Sequence, residues 1–184
     1  MAEYYLISQL PSLDGISDSS PLPITEERFL ELCSRFLKEK ALREMEKLTL
    51  TPSLEFDKSK SSLIETWNNG ERNLRLALAK ARADKMNKPF DTENKSLPLE
   101  LTRVATATVE LENPMEAESF LSNYRLKFLE TLRPMDNFSE DFLFYYGLKL
   151  KLILRIRKFE TELGQNAYKN IYNSILNGDR LEAI

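Results

Sequence analysis

Histidine is absent from the 184-residue chain, and cysteine occurs once, at Cys33. Without imidazole, the chain lacks the usual acid–base group near neutral pH and the commonest zinc ligand. One cysteine excludes an intrachain disulfide and a thiolate metal cluster. Phe29, Leu30, Phe36 and Leu37 surround Cys33 at helical spacing, so it is expected to be a core thiol and not a nucleophile. Valine is nearly missing as well, with 2 residues against 31 leucines, and there are only 5 glycines. Leucine favours helix and valine favours strand, so this ratio points to an all-α protein. Gly70 stands alone and no Gly-Lys-Ser/Thr triplet occurs, which excludes nucleotide binding through a phosphate loop.

Excess positive charge is also lacking. With 26 Lys+Arg against 29 Asp+Glu the net charge is −3, which gives no global reason to bind nucleic acid. The N-terminus carries Glu3 where an export signal would carry basic residues. The most apolar stretch, Phe138 to Ile156, contains Glu140, Asp141, Lys149, Lys151 and Arg155, too many charges for stable insertion in a bilayer. The expectation is a soluble, cytoplasmic chain, and its length suits one domain.

What the sequence does contain is helical periodicity. Residues 11–23 hold Pro11, Gly15, four serines, Pro21 and Pro23, which marks a surface loop after the short apolar opening Tyr4–Leu10. Thr25 is a good N-cap, with Ile24 and Phe29 placed as a hydrophobic staple. A short helix is expected over Ala41–Leu48, before Pro52. A long one is expected from Ser61 to Met86, burying Leu63, Trp67, Leu74, Ala77, Leu78 and Ala81, with Gly70 allowing close helix approach. Residues 87–98 carry two prolines and form the best internal hinge, dividing the chain into helical halves 1–86 and 99–184. Residues 99–111 fit both an alternating strand and a helix; a lone strand would leave its ladder unpaired, which favours helix.

Asn113-Pro114-Met115-Glu116 predicts a helix start with a capping box, and Ala117, Phe120, Leu121, Tyr124, Phe128 and Leu132 its buried stripe. Another helix is expected from Glu140, capped by Ser139, to Leu163, apolar enough all round to be central. A last one is expected over Gln165–Asn177. The architecture predicted is thus an all-α, compact bundle of about six or seven helices.

The acidic pairs Glu26-Glu27 and Glu140-Asp141 sit in first helical turns, where the helix dipole accounts for them without catalysis. No catalytic, cofactor-binding or metal site is expected. Two basic stripes are candidates for partner binding. Arg75 and Arg82, with Ala79 between them, share a face away from the Trp67 arc; the alternative is a solvated basic face. Lys151, Arg155 and Lys158 form the second stripe, on the central helix. Lys149 falls within the apolar arc, so it either snorkels or pairs with a buried acid.

Several segments together resemble a known family. They are Tyr4-Tyr5-Leu6-Ile7-Ser8-Gln9-Leu10-Pro11-Ser12-Leu13, the helix Thr25-Glu26-Glu27-Arg28-Phe29-Leu30-Glu31-Leu32, and Leu74-Arg75-Leu76-Ala77-Leu78-Ala79-Lys80-Ala81-Arg82-Ala83. Asn113-Pro114-Met115-Glu116-Ala117-Glu118 and Tyr146-Gly147-Leu148-Lys149-Leu150-Lys151-Leu152 complete the set. Over nearly the whole chain they resemble a short bacterial family encoded among V/A-type ATPase genes. That family is similar to about half of the C-type subunit of the enzyme, whose eukaryotic counterpart is the d-type subunit. The resemblance implies a non-catalytic coupling part, a partial relative of the helical funnel that this C-type subunit forms between the central stalk and the membrane ring of an ion-transporting rotary ATPase. It also implies protein–protein contact with other ATPase subunits at the cytoplasmic side of the inner membrane, with homo-oligomerisation open. A free-standing helical adaptor or assembly factor for that ATPase is the alternative.

Overall fold

The structure is a computed structural model. It describes residues 2–16, 21–53, 59, 61–90, 96–158, and residues 168, 169, 171–173 and 175. Among the described residues seven helices with defined bounds follow in order: α1 (Ala2–Gln9), α2 (Glu26–Phe36), α3 (Glu39–Glu46), α4 (Ser62–Lys85), α5 (Leu99–Glu110), α6 (Pro114–Thr131) and α7 (Glu140–Arg157). Residues 168, 169, 171–173 and 175 are helical too, while Leu163, Gly164 and most of the expected last helix lie outside the described residues. No strand occurs among the described residues, so the protein is an all-α bundle.

Helix starts follow capping chemistry. Thr25 Oγ1 accepts from the Arg28 amide at 3.2 Å, and Ile24 and Phe29 are buried in one core as a staple requires. Ser61 Oγ accepts from the Ile64 amide at 3.3 Å and donates to Asp141 Oδ1 at 2.6 Å, so the cap of α4 also ties down the first turn of α7. Asn113 Oδ1 accepts from the Met115 amide at 3.0 Å. The expected capping box closes differently there: Glu116 accepts from the Asn113 side-chain amide and not from its backbone. The apolar opening becomes α1, a helix placed by the fully buried Leu6. Helix α3 lies two residues earlier than expected, because Ala41 and Met45, one turn apart, are its buried contacts.

The ambiguous segment 99–111 is helix. Its threonines are accommodated by bonding back one turn, Thr108 Oγ1 to the Val104 carbonyl at 2.7 Å and Thr102 Oγ1 to the Pro98 carbonyl at 3.3 Å. The alternating pattern therefore records satisfied hydroxyls and not a sheet face.

The core has two parts. The larger gathers α1, α2, α3 and the first half of α4 around α7, whose residues Leu143 to Leu150 are all buried. The smaller joins Leu74, Ala77 and Leu78 of α4 to Leu101 and Ala105 of α5 and Leu121 of α6. Helix α4 spans both, and α5 packs along it more extensively than any other helix pair. Segments before and after 87–98 thus pack across one another, and α4 and α6 each contribute to both parts of the core. Two glycines permit the closest approaches. A Cβ on Gly147 would meet Leu48 Cδ2 at 3.0 Å and Phe29 Cε1 at 3.2 Å, and one on Gly70 would overlap the Phe128 ring.

The inward face of α6 differs from the expectation. Leu121, Ser122, Arg125 and Leu129 are buried, whereas Phe120 is 41% exposed and Ala117, Tyr124, Phe128 and Leu132 are half-buried. The helix is rotated because Arg125 answers a carboxylate on α4, an attraction that counting apolar residues ignores. Trp67, in contrast, is fully buried as expected, stacked on Phe128 with ring centres 6.0 Å apart. Trp67→Ala should cost about 3–5 kcal/mol in urea unfolding. An unchanged unfolding midpoint would contradict this packing.

Candidate functional site

A cluster of charged groups from three elements surrounds Lys149 beside a cleft. Its helix position is apolar on both sides, so the side chain is only 10% exposed and its ammonium emerges where three elements meet. Nζ donates to Asp14 Oδ1 at 2.5 Å, from the loop after α1, and to Glu130 Oε1 at 2.7 Å, from the last turn of α6. The third donor faces the Tyr145 hydroxyl at 3.3 Å, one turn back on α7, so all three N–H groups are used. Arg133 adds a second cation, with Nη1 3.6 Å from Asp14 Oδ2 and its guanidinium 5.8 Å from the centre of the Tyr145 ring. A cleft of about 240 Å³ opens beside this cluster, walled by Leu10, Pro11, Phe142 and Tyr146. Tyr146 holds the loop in place by donating to the Pro11 carbonyl at 2.8 Å.

The electrostatics follow from these contacts. Burial works against the charge on Lys149, but the hydrogen bonds to Asp14 and Glu130 outweigh it and raise the pKa above that of an ordinary lysine. The same hydrogen bond holds the Asp14 carboxyl below its usual range. An amine kept as ammonium is a poor nucleophile, so the cluster is built to hold charge. Burial likewise pushes the Cys33 thiol up to about 12, which keeps it protonated in the core. No group of three or more His, Cys, Asp or Glu side chains among the described residues is arranged to hold a metal ion. No helix among them is long and apolar enough to cross a membrane.

A second charged chain crosses the bundle. Glu71 on α4, 2% exposed, accepts from Arg125 Nε on α6 at 2.7 Å. Glu118 lies 3.9 Å from Arg125 Nη1 and accepts from Arg155 Nε on α7 at 2.8 Å. Trp67 Nε1, Ser122 Oγ, Glu71 Oε2 and Arg125 Nη1 find no hydrogen-bond partner among the described residues, so this seam is incompletely satisfied.

The five residues expected to bind partners are placed unequally. Lys151 pairs with Glu26 of α2, and Arg155 with Glu118 of α6, so both fasten α7 to its neighbours. Lys158 is exposed at the end of that stripe. Arg75 is half-buried and Arg82 exposed on α4, and neither makes an ion pair or side-chain hydrogen bond among the described residues. Sequence reasoning missed Asp14, Glu130, Glu71 and Arg125. For the last two a signal existed: Glu71 lies between Trp67 and Leu74, and Arg125 between Leu121 and Leu129, each a charge on an apolar face.

Two stability measurements check this account. Arg125→Leu should cost about 3–5 kcal/mol by leaving Glu71 buried and unpaired, and adding Glu71→Leu should recover much of that loss. A double variant as unstable as the single would refute the pairing. Asp14→Asn should cost about 0.5–1 kcal/mol near neutral pH, since the aspartate is half-exposed. Because the folded pKa of Asp14 is depressed, that difference should hold above about pH 4 and close as the pH falls further. The raised pKa of Lys149 preserves its side of the pair up to about pH 10 and releases it only above that. Urea unfolding across pH reads both limits, and a constant difference down to pH 2 would contradict the assignment. Comparison of the chain with family models, with curated proteins and with solved structures finds no match.

Proposed function

We propose that the protein is a non-catalytic coupling part of a V/A-type rotary ATPase, similar to the enzyme's C-type subunit, acting by contact between the central stalk and the membrane ring. The observation that carries this reading is the unengaged arginine pair on α4. Arg75 and Arg82 are seven residues apart on one helix face, about 10 Å along its axis. Four bases on α6 and α7, by contrast, are held in ion pairs with their own chain: Lys151, Arg155, Arg125 and Lys149. Free guanidinium groups can grip carboxylates or the carbonyl ends of helices with paired hydrogen bonds.

Stiffness supports the same reading. A part that passes torque must not yield between its two contacts. Helix α4 runs 24 residues through both cores, braced over its C-terminal half by α5 and crossed by the Glu71–Arg125 pair. The resemblance to the ATPase-linked family includes this arginine-bearing helix, so the family expectation and the unengaged face fall on the same element.

Charge reversal at both arginines tests the reading. Arg75→Glu with Arg82→Glu should leave folding nearly unchanged, within about 0.5 kcal/mol per site, because neither side chain holds the bundle together. The variant should fail to co-purify with ATPase subunits from native membranes, where the unaltered chain recovers them. Normal co-purification of the folded double variant would remove the arginines from the interface. Recovery of no ATPase subunits by the unaltered chain would defeat the proposal as a whole.

A further inference from the structure

The Lys149 corner has the form of an anion site already filled from within. Its two cations, Lys149 and Arg133, come from α7 and the end of α6, elements fixed by the main core. The anion between them, Asp14, comes from a loop, and its side chain is 58% exposed although the lysine it binds is 10% exposed. The buried partner is thus part of the scaffold, and the exposed one is replaceable. Leu13 is buried and Pro11 is held by Tyr146, so the loop backbone stays in place while the Asp14 side chain can rotate out. Immediately after it, Gly15 adopts φ +70°, a left-handed conformation that glycine takes without strain.

We propose that the cleft between this loop and the α6–α7 corner is a binding site for a monocarboxylate, and that Asp14 occupies it in the free protein as a built-in competitor. Charge selects the ligand class. The groups facing the site are Lys149 and Arg133, both positive, and Glu130 and Asp14, both negative. With Asp14 rotated away, one positive charge is left over, which a single carboxylate neutralises. A phosphate dianion would overshoot and would also face the carboxylate of Glu130. Size agrees: about 240 Å³ is below the roughly 300–1,000 Å³ of sites for drug-sized ligands. Leu10, Pro11 and Phe142 give the rest of the ligand an apolar wall, which suits a short carboxylic acid or one acidic side chain of a polypeptide. The site lies apart from Arg75 and Arg82 and does not depend on the reading given to that pair.

Removal of the competitor tests the site. The chain carrying Asp14→Ala, with Asp14→Asn as a second variant that keeps the side-chain volume, is labelled with ¹³C-lysine and ¹⁵N. It is titrated at constant ionic strength with sodium acetate, with the blocked peptide acetyl-Gly-Asp-Gly-amide, and with sodium phosphate. If Asp14 fills the site about nine-tenths of the time, its removal should tighten acetate binding about tenfold. Saturating shifts should appear at Lys149 and Arg133, and adding Lys149→Met should abolish them. Tighter binding of the peptide than of acetate identifies the natural ligand as an acidic polypeptide segment; binding no tighter identifies a free small acid. Either result upholds the site. Three results overturn it: folded variants no better than the unaltered chain, saturation that survives Lys149→Met, or phosphate binding more tightly than acetate.

Discussion

A helix with no face left for water is the constraint around which this bundle is arranged. From Leu143 to Leu150 every residue of α7 is buried, including Gly147 and Lys149. An amphipathic helix can be covered from one side, but this one must be enclosed. Helices α2, α3, α4 and α6 all pack against it. The absence of a side chain at Gly147 lets Leu48, Met45 and Phe29 reach its backbone, so the enclosure is tight on the α2–α3 side. Once α7 is surrounded, the short helices gain a fixed place despite having little stability alone.

Enclosing a helix that carries basic residues creates an electrostatic problem, and the neighbouring elements supply the answer. Lys149 is met by Asp14 and Glu130, Lys151 by Glu26, and Arg155 by Glu118. These acids arrive from the loop after α1, from α2 and from α6, so the pairs also set the rotation of α7 about its axis. The exposed ends of such pairs contribute little energy, but their positions exclude other registers. Glu71 and Arg125 do the same between α4 and α6 at greater cost, since both are buried and only partly satisfied.

This division of roles bears on function. Two of the five basic groups that the sequence offers for docking, Lys151 and Arg155, are spent internally, which leaves Arg75, Arg82 and Lys158 for an external contact. The Lys149 corner is different again: its lysine is buried, but the aspartate that meets it is exposed and carried by a loop. The two contacts proposed above are thus chemically distinct, one open and one occupied by the bundle's own chain.

Local chemistry was legible in the sequence. The caps at Thr25, Asn113 and Ser139 and the apolar arcs of α2 and α4 follow from residue type and spacing, because both act within one or two turns. The all-α class and the central place of α7 follow in the same way, from leucine excess and from an apolar circumference. Tertiary structure alone decided the rotation of α6, the pairing of Glu71 with Arg125, and the meeting of Asp14 with Lys149, which are 135 residues apart. Periodicity counts what each residue would gain by leaving water, and it scores every charge as outward-facing. Which charge finds an opposite charge inside depends on how separate helices are brought together, and that information lies in no single stretch of the chain.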